Sequence, residues 1–427
     1  MTCLLTLLLL LQDDPVKLVE RLGDSSPEVR EKAVEALKAL GERADAALKA
    51  GEGDANQDRA QWCRQLRARL VLKRAPRIAV LTAGKEHLDL SMMDADGEQS
   101  IIVRRGIKWA HASPDGGRVL CGLPDDSVVV LDLKVGKESA LAIHEWPDAQ
   151  WSRDGARLAF DASRYPNVEF AACDADGSHY RVVHREKQRD LRSWGWSSDG
   201  KQLIIATSDQ SILEISRITA VDPTSGKGRA LFEGKRATAM AISPVAGVAA
   251  VSVRSDEKSE IWEVPLDGAE PLKLATLAVN ELWPTLCWTP DGKRLVCSDG
   301  RRLVMVDRAS RKTAGLTTGE GREGEPVVSP DGTWVAYVRN VDGDVQIRAV
   351  RSDGTGDRLL SRAGDRDDDT FYWPDVRFSP DGQYLLVAAQ AENDRDPRDV
   401  WLVTVATSES RKLLRASRIE SMWWTPR

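Results

Sequence analysis

Five histidines are few for a chain of 427 residues, and those at 87, 111, 144, 179 and 184 form no pair at metal-ligand spacing. The six cysteines include no C-x-x-C pair, which excludes a zinc knuckle. There is no excess of basic residues either. Lys and Arg number 60 against 66 Asp and Glu, a net charge of −6, so the chain lacks the basic face that would neutralise phosphates and is not read as a nucleic-acid binder. No apolar run approaches the roughly 20 residues that cross a bilayer, which excludes an integral span. No G-x-S-x-G elbow is present, and with it goes the usual serine-hydrolase domain. Phe and Tyr are also scarce, at five each. Trp, in contrast, occurs 14 times and mostly at repeated positions.

The longest apolar run, CLLTLLLLL at 3–11, has the length of a signal-peptide core. Residues 1–12 are therefore expected to be an export signal, and the mature protein to be periplasmic or secreted. No basic residue precedes the run and no A-x-A site follows, so a misplaced start or a short buried helix is the competing reading. Residues 13–74 are helical by pattern. Ser26, Pro27 and Glu28 make a helix start, Val29, Ala33, Leu37 and Leu40 share one face, and Gly41 ends the run. Shorter periodic stretches predict helices near 43–49 and 56–73, the last with Trp62, Leu66 and Leu70 inward. Asp54 to Asp58 begins like a calcium loop but lacks its glycine and closing glutamate, and reads as a helix entry.

From residue 109 a motif recurs roughly every 40 to 50 residues. It reads WAHASPDGGRVL at 109, WSRDGARLAF at 151, WSSDGKQLII at 196, AISPVAGVAA at 241, WTPDGKRLVC at 288, VSPDGTWVAY at 328 and FSPDGQYLLV at 378. In each unit an apolar strand enters a tight turn. Pro presets φ, Asp bonds the turn backbone, and Gly supplies positive φ. Three further short strands follow, so each unit makes a four-stranded antiparallel blade. These residues resemble the TolB-like propeller repeat, whose signature is WSPDGxxLaf. The segment from Asp24 to Ala50, with its run SPEVREKAVEALKALGERADAALKA, resembles a HEAT-like helical hairpin, which needs a neighbour to cover its apolar face. At 241, Val245 and Ala246 stand in place of Asp-Gly, so a different turn is expected there.

The repeat predicts an all-β, eight-bladed β-propeller over 75–427, with seven blades if the irregular unit at 241 is not separate. Trp424, Thr425 and Pro426 match the start of the motif, and Ala75 falls where its Gly would be. The last strand is therefore expected to complete the first blade and to cover a sheet edge that would otherwise be open. Cys287 and Cys297 flank one hairpin turn, where a disulfide or a pair of small buried thiols fits.

The repeated Asp residues are fully explained as turn residues, and no catalytic role is assigned to them. TolB-like propellers also resemble oligogalacturonate lyases, but those use a His-rich metal site that this spacing does not provide. Binding is the better expectation, through the face opposite the Asp-Gly turns. Two acidic loops belong there: Asp365, Asp367, Asp368 and Asp369 in one, Asp394 and Asp396 in the other. Their carboxylates suit Ca²⁺ or a basic partner, unless they are simply solvated. Trp-Pro pairs place Trp146, Trp283 and Trp373 where innermost strands begin, with Trp194 in the equivalent region of its own unit. Such aromatics suit a protein or glycan partner, or serve only packing between blades. The reading is a monomeric, non-catalytic envelope scaffold with no resident cofactor. A glycan-binding or lyase-like propeller is the alternative.

Overall fold

The computed structural model describes residues 14–84, 86–97, 100–144, 148–164, 167–209, 214–255, 258–278, 285–299, 301–365, 375–388 and 398–426. The chain divides into two compact units, one of residues 1–77 with 93–100 and 427, the other of 78–92 with 101–426.

Among its described residues the first unit carries four α-helices: α1 (Pro15–Arg21), α2 (Pro27–Leu40), α3 (Asp45–Gly51) and α4 (Gln57–Arg74). Pro stands at the start of α1 and α2, where a missing N–H costs nothing. Gly41 closes α2 at φ 54°, a conformation that favours glycine. Leu18, Leu22, Leu37 and Leu48 are fully buried in one cluster. Burial of each contributes roughly 1.5–3 kcal/mol. Arg67 of α4 ties back to α3 through Asp45 at 3.1 Å and to Glu52 at 3.0 Å. Asn56 caps α4 by accepting from the Arg59 amide at 3.1 Å, as expected for a helix entry. One expectation fails. Trp62 does not point inward but is 37% exposed, while Cys63 and Leu66 are buried. These two lie three residues apart on one face, and Trp62 sits about 100° away from Cys63 around the helix.

The second unit is built of antiparallel strands. Among the described residues they form seven sheets. The first sheet has the spatial order 100–107, 88–93, 77–83, 419–425, so the last strand of the chain lies beside the first. The Ala83 amide donates to the Arg418 carbonyl at 3.0 Å where these two meet. The other six sheets run sequentially. Five have four strands, and the fourth in chain order has seven, from 189–196 to 272–278. The long strand Gly228–Ile242 sits at its centre. Its beginning pairs with Ile215–Val221 and its end with Val248–Ser255, with register breaks between. It thus serves as outer strand for the unit before it and inner strand for the unit after.

Successive sheets pack face to face. Leu81, Leu90, Val119 and Val129 join the first and second sheets, and Leu120, Val130, Trp151 and Phe160 join the second and third. The motif tryptophans add a hydrogen bond to this packing. Trp151 Nε1 donates to the His111 carbonyl at 3.0 Å, Trp196 to Gln150 at 3.2 Å, Trp288 to Ala241 at 2.9 Å and Trp424 to Arg377 at 3.4 Å. Each acceptor lies two residues before the turn Ser or Thr of the preceding unit. The repeated Trp therefore joins neighbouring innermost strands while burying its ring.

All five described cysteines are free thiols. Cys297 stands opposite Leu286, and Cys287 opposite Val296. Adjacent residues of a strand point to opposite faces, so Cys287 and Cys297 do not face each other across this hairpin and no disulfide joins them.

Candidate functional site

The Asp-Gly turns share one hydrogen-bonding pattern. In the unit at 329, the Ser329 hydroxyl donates to Asp331 at 2.5 Å, Asp331 accepts from the Thr333 amide at 3.0 Å, and Ser329 accepts from the Trp334 amide at 2.9 Å. The same three bonds hold Asp115, Asp291 and Asp381 in their turns. The donors Ser113, Ser152 and Thr289 keep the carboxyls of Asp115, Asp154 and Asp291 below the usual carboxylate range. These acids are thus held as ionised turn residues. The unit at 241 differs as expected: the Ala246 amide bonds Ser243 Oγ at 3.1 Å, and no positive-φ glycine is used.

The opposite face carries a cleft of about 680 Å³ between the first and second sheets. Three pieces of chain build it. The loop after Arg77–Ala83 supplies Glu86 and His87, and is closed by the Gly84 amide donating to the His87 carbonyl at 2.7 Å. The start of the strand Ile419–Thr425 supplies Glu420 and Ser421, with Arg418 just before it paired to Glu420. The strand Trp109–Ala112 supplies Trp109 and His111, whose rings lie 5.5 Å apart. The Trp109 indole rests on Gly122. A Cβ added there would come within 2.2 Å of the ring, so only glycine leaves room for this seat. Lys108, at the rim, is held by Asp126.

The repeat shows what is unusual about Trp109 and His111. Four residues before the turn Ser or Thr, the other units carry small or acidic residues such as Asp148, Ser193, Thr285 and Ser421. Two residues before it, no other unit has His. The packing Trp of the motif belongs immediately before the Ser, where this unit has Ala112 instead. Neither Trp109 nor His111 follows the residue types of the repeat at its position; Trp109 packs on the core cluster of the second and third sheets, and both line one cleft with His87. The cleft was not anticipated from the sequence, because its residues come from three separated stretches. The displaced Trp of the 109 unit was the available signal.

Of the residues singled out by sequence, Trp194 is described in full. It lies in the strand Arg189–Trp196, half-buried, with its ring edge-on to Phe170 at 4.9 Å, and so packs between the third and fourth sheets. Asp365 ends the strand Arg358–Asp365. Trp146, Trp283, Asp367, Asp368, Asp369, Trp373, Asp394 and Asp396 lie outside the described residues. Among those described, no group of three or more His, Cys, Asp or Glu is placed to hold a metal ion, and no helix is long and apolar enough to cross a membrane.

Repeated Asp-Gly turns, four-stranded sheets and Trp bonds between them define a TolB-like β-propeller. No family model matches the chain. It is 32% identical over 212 residues to the uncharacterized protein Atu1656 of Agrobacterium fabrum, covering 48% of this chain and 68% of that protein, and it belongs to the same family. Among solved structures, dipeptidyl peptidase 4 of Porphyromonas gingivalis aligns with a TM-score of 0.59 at 13% identity, over 79% of this chain and 58% of that one. An oligogalacturonate lyase in complex with manganese aligns with a TM-score of 0.54 at 16% identity, over 78% and 97%. TolB from Acinetobacter baumannii aligns with a TM-score of 0.41 at 15% identity, over 74% and 82%. At such identities the likeness is one of fold.

Proposed function

We propose that this chain is a non-catalytic interaction scaffold of the cell envelope or periplasm. In this reading its eight blades close through the strand at 419–425, and the face opposite the Asp-Gly turns engages a macromolecular partner. The observation that carries the reading is the cleft of His87, Trp109 and His111, where the second unit departs from the residue types of the repeat. The turn carboxylates support it from the other side, since each one detailed above is committed to its own turn. Trp146, Trp283, Trp373 and the acidic segments around Asp367 and Asp394 belong to the same face by their place in the repeat, and extend the proposed contact. Crosslinking in the native envelope, comparing the unmodified chain with the His87→Ala/Trp109→Ala variant, tests this. A protein adduct that the double substitution removes supports the scaffold. An adduct indifferent to it refutes the role of the cleft.

A second reading is favoured by one feature. An indole seated on glycine beside polar side chains is also a platform for a sugar ring. A glycan array combined with a depolymerisation assay separates the two. Glycan binding with no protein adduct replaces the scaffold reading, and turnover would make the propeller a lyase.

A further inference from the structure

A second cleft, of about 500 Å³, lies at the outer part of the third sheet and is lined by Arg157, Asp174, His179, Tyr180, Arg181 and Pro223. It is independent of the loop-face cleft and on different strands. Its arginines can be judged against their equivalents elsewhere in the repeat. Five residues after the turn Ser or Thr stand Arg118, Arg157 and Arg294 in three units. Arg118 donates to the Gly155 carbonyl at 2.6 Å and lies over the Trp151 ring at 4.8 Å. Arg294 donates to the Ser352 carbonyl at 3.3 Å. Both are struts. The backbone of Arg157 bonds Ser152, but its half-buried guanidinium makes no hydrogen bond or ion pair with any described residue and acts on Asp154 and Asp222 only at longer range.

The nearby carboxylates do not take it up. Asp174 stands directly opposite Arg157 in the strand register, but its Oδ2 lies 2.7 Å from His179 Nδ1. Asp222 accepts from the Thr224 amide and the Ser225 hydroxyl, both at 2.7 Å, and interacts with Arg157 only at longer range. Arg181 is fixed by Nε and Nη2 donating to the Pro223 carbonyl at 3.0 and 2.6 Å, which leaves its Nη1 edge uncommitted. Arg229 makes the same strut to Leu266 at 2.7 Å, so this part of Arg181 is structural. His179 has a φ of 57°, the left-handed region, and Asp174 holds its ring by Nδ1 with Nε2 left over. Tyr180, 38% exposed, supplies an aromatic wall. The cleft thus presents an unused guanidinium, a fixed guanidinium edge and an oriented imidazole beside a ring.

We propose that this cleft binds the oxyanion of a small molecule, a carboxylate or a phosphate ester, with Arg157 as the principal donor. A fork-like guanidinium suits either group, and Arg181, already held by two hydrogen bonds, adds little ordering cost to binding. The test is titration calorimetry on the full chain with inorganic phosphate, glucuronate and glucose. Saturable binding of phosphate or glucuronate, but not of glucose, is expected. Tighter glucuronate binding assigns a carboxylated sugar, and tighter phosphate binding assigns a phosphate ester. Arg157→Gln should weaken the anion about tenfold or more, the loss expected for a charge-assisted hydrogen bond. Arg118→Gln, at the equivalent strut, should leave affinity unchanged. His179→Gly relieves a left-handed residue and removes the imidazole, so it keeps the fold and weakens binding. Absence of anion binding, equal binding of glucose, or affinity indifferent to Arg157→Gln in a folded protein would overturn the assignment.

Discussion

Replacing Trp288 by Phe tests the bond that joins neighbouring blades. Trp288 is 6% exposed and donates Nε1–H to the Ala241 carbonyl at 2.9 Å. Phe keeps most of the ring but removes the donor. Loss of that bond costs about 1–2 kcal/mol, and the smaller ring gives up about 1 kcal/mol of apolar burial. The sum is about 2–3 kcal/mol. Urea unfolding followed by far-ultraviolet circular dichroism reads it as a shift in midpoint. With a denaturant slope of about 3 kcal/mol per molar or more for a chain this long, the midpoint falls by roughly 0.5–1 M. Trp62→Phe is the control, because that ring is 37% exposed and makes no such bond. Its effect should stay within about 0.5 kcal/mol. The effects should also follow geometry, with Trp288→Phe largest and Trp424→Phe, at 3.4 Å, smallest. If Trp288→Phe moves the midpoint no further than Trp62→Phe, the tryptophan bonds do not hold the blades together.

Glu323 is 2% exposed and accepts from Arg339 Nε at 2.7 Å and from the Leu303 amide at 3.1 Å, so Glu323→Ala should cost about 3–5 kcal/mol and visibly lower the melting temperature. Deleting residues 417–427 strips the strand beside Arg77–Ala83 and leaves an open sheet edge, and size-exclusion chromatography should then show self-association. Hydrogen bonds from Ser113, Ser152 and Thr289 lower the folded-state pKa of Asp115, Asp154 and Asp291. Their stabilisation is therefore present above the unfolded carboxylate pKa, near 4, and is lost as pH falls through the lower folded values. Acid titration of the melting temperature should show a decline below about pH 4 that is shallower in the Ser113→Ala/Ser152→Ala variant. Burial pushes the Cys121 and Cys173 thiols up to about 12, so neither should react with a thiol reagent at pH 8 until the chain unfolds.

The blade pattern was legible because a Ser-Pro-Asp-Gly turn states its own geometry. The hydroxyl, carboxylate and positive-φ glycine each have one local job, and the structure uses them as read. The departure at Val245 and Ala246 was readable for the same reason. The merging of two units into one seven-stranded sheet was not, since Gly228–Ile242 runs on as one strand through Gly234, whose φ is 77°. Trp62 misled because helical periodicity admits a neighbouring face when a buried Cys63 competes for the core. Trp194 carries no mark in sequence that separates a ring set edge-on to Phe170 from one open to a partner. The loop-face cleft depends on residues from 84 to 111 and from 418 to 421 meeting in space, and pattern along the chain cannot show that meeting. Comparing each unit with its repeats recovers part of it, because Trp109 and His111 stand out only against their equivalents.

The central claim is that this propeller works through the face bearing His87, Trp109 and His111. Site-specific photocrosslinking in the native envelope tests it most directly, with the reactive residue at exposed Glu86 beside the cleft or at exposed Asp267 in a turn on the opposite face. The account predicts a defined adduct from position 86, none from 267, and loss of the first when Trp109→Ala is added. Equal adducts from both positions, or an adduct from 267 alone, would contradict it.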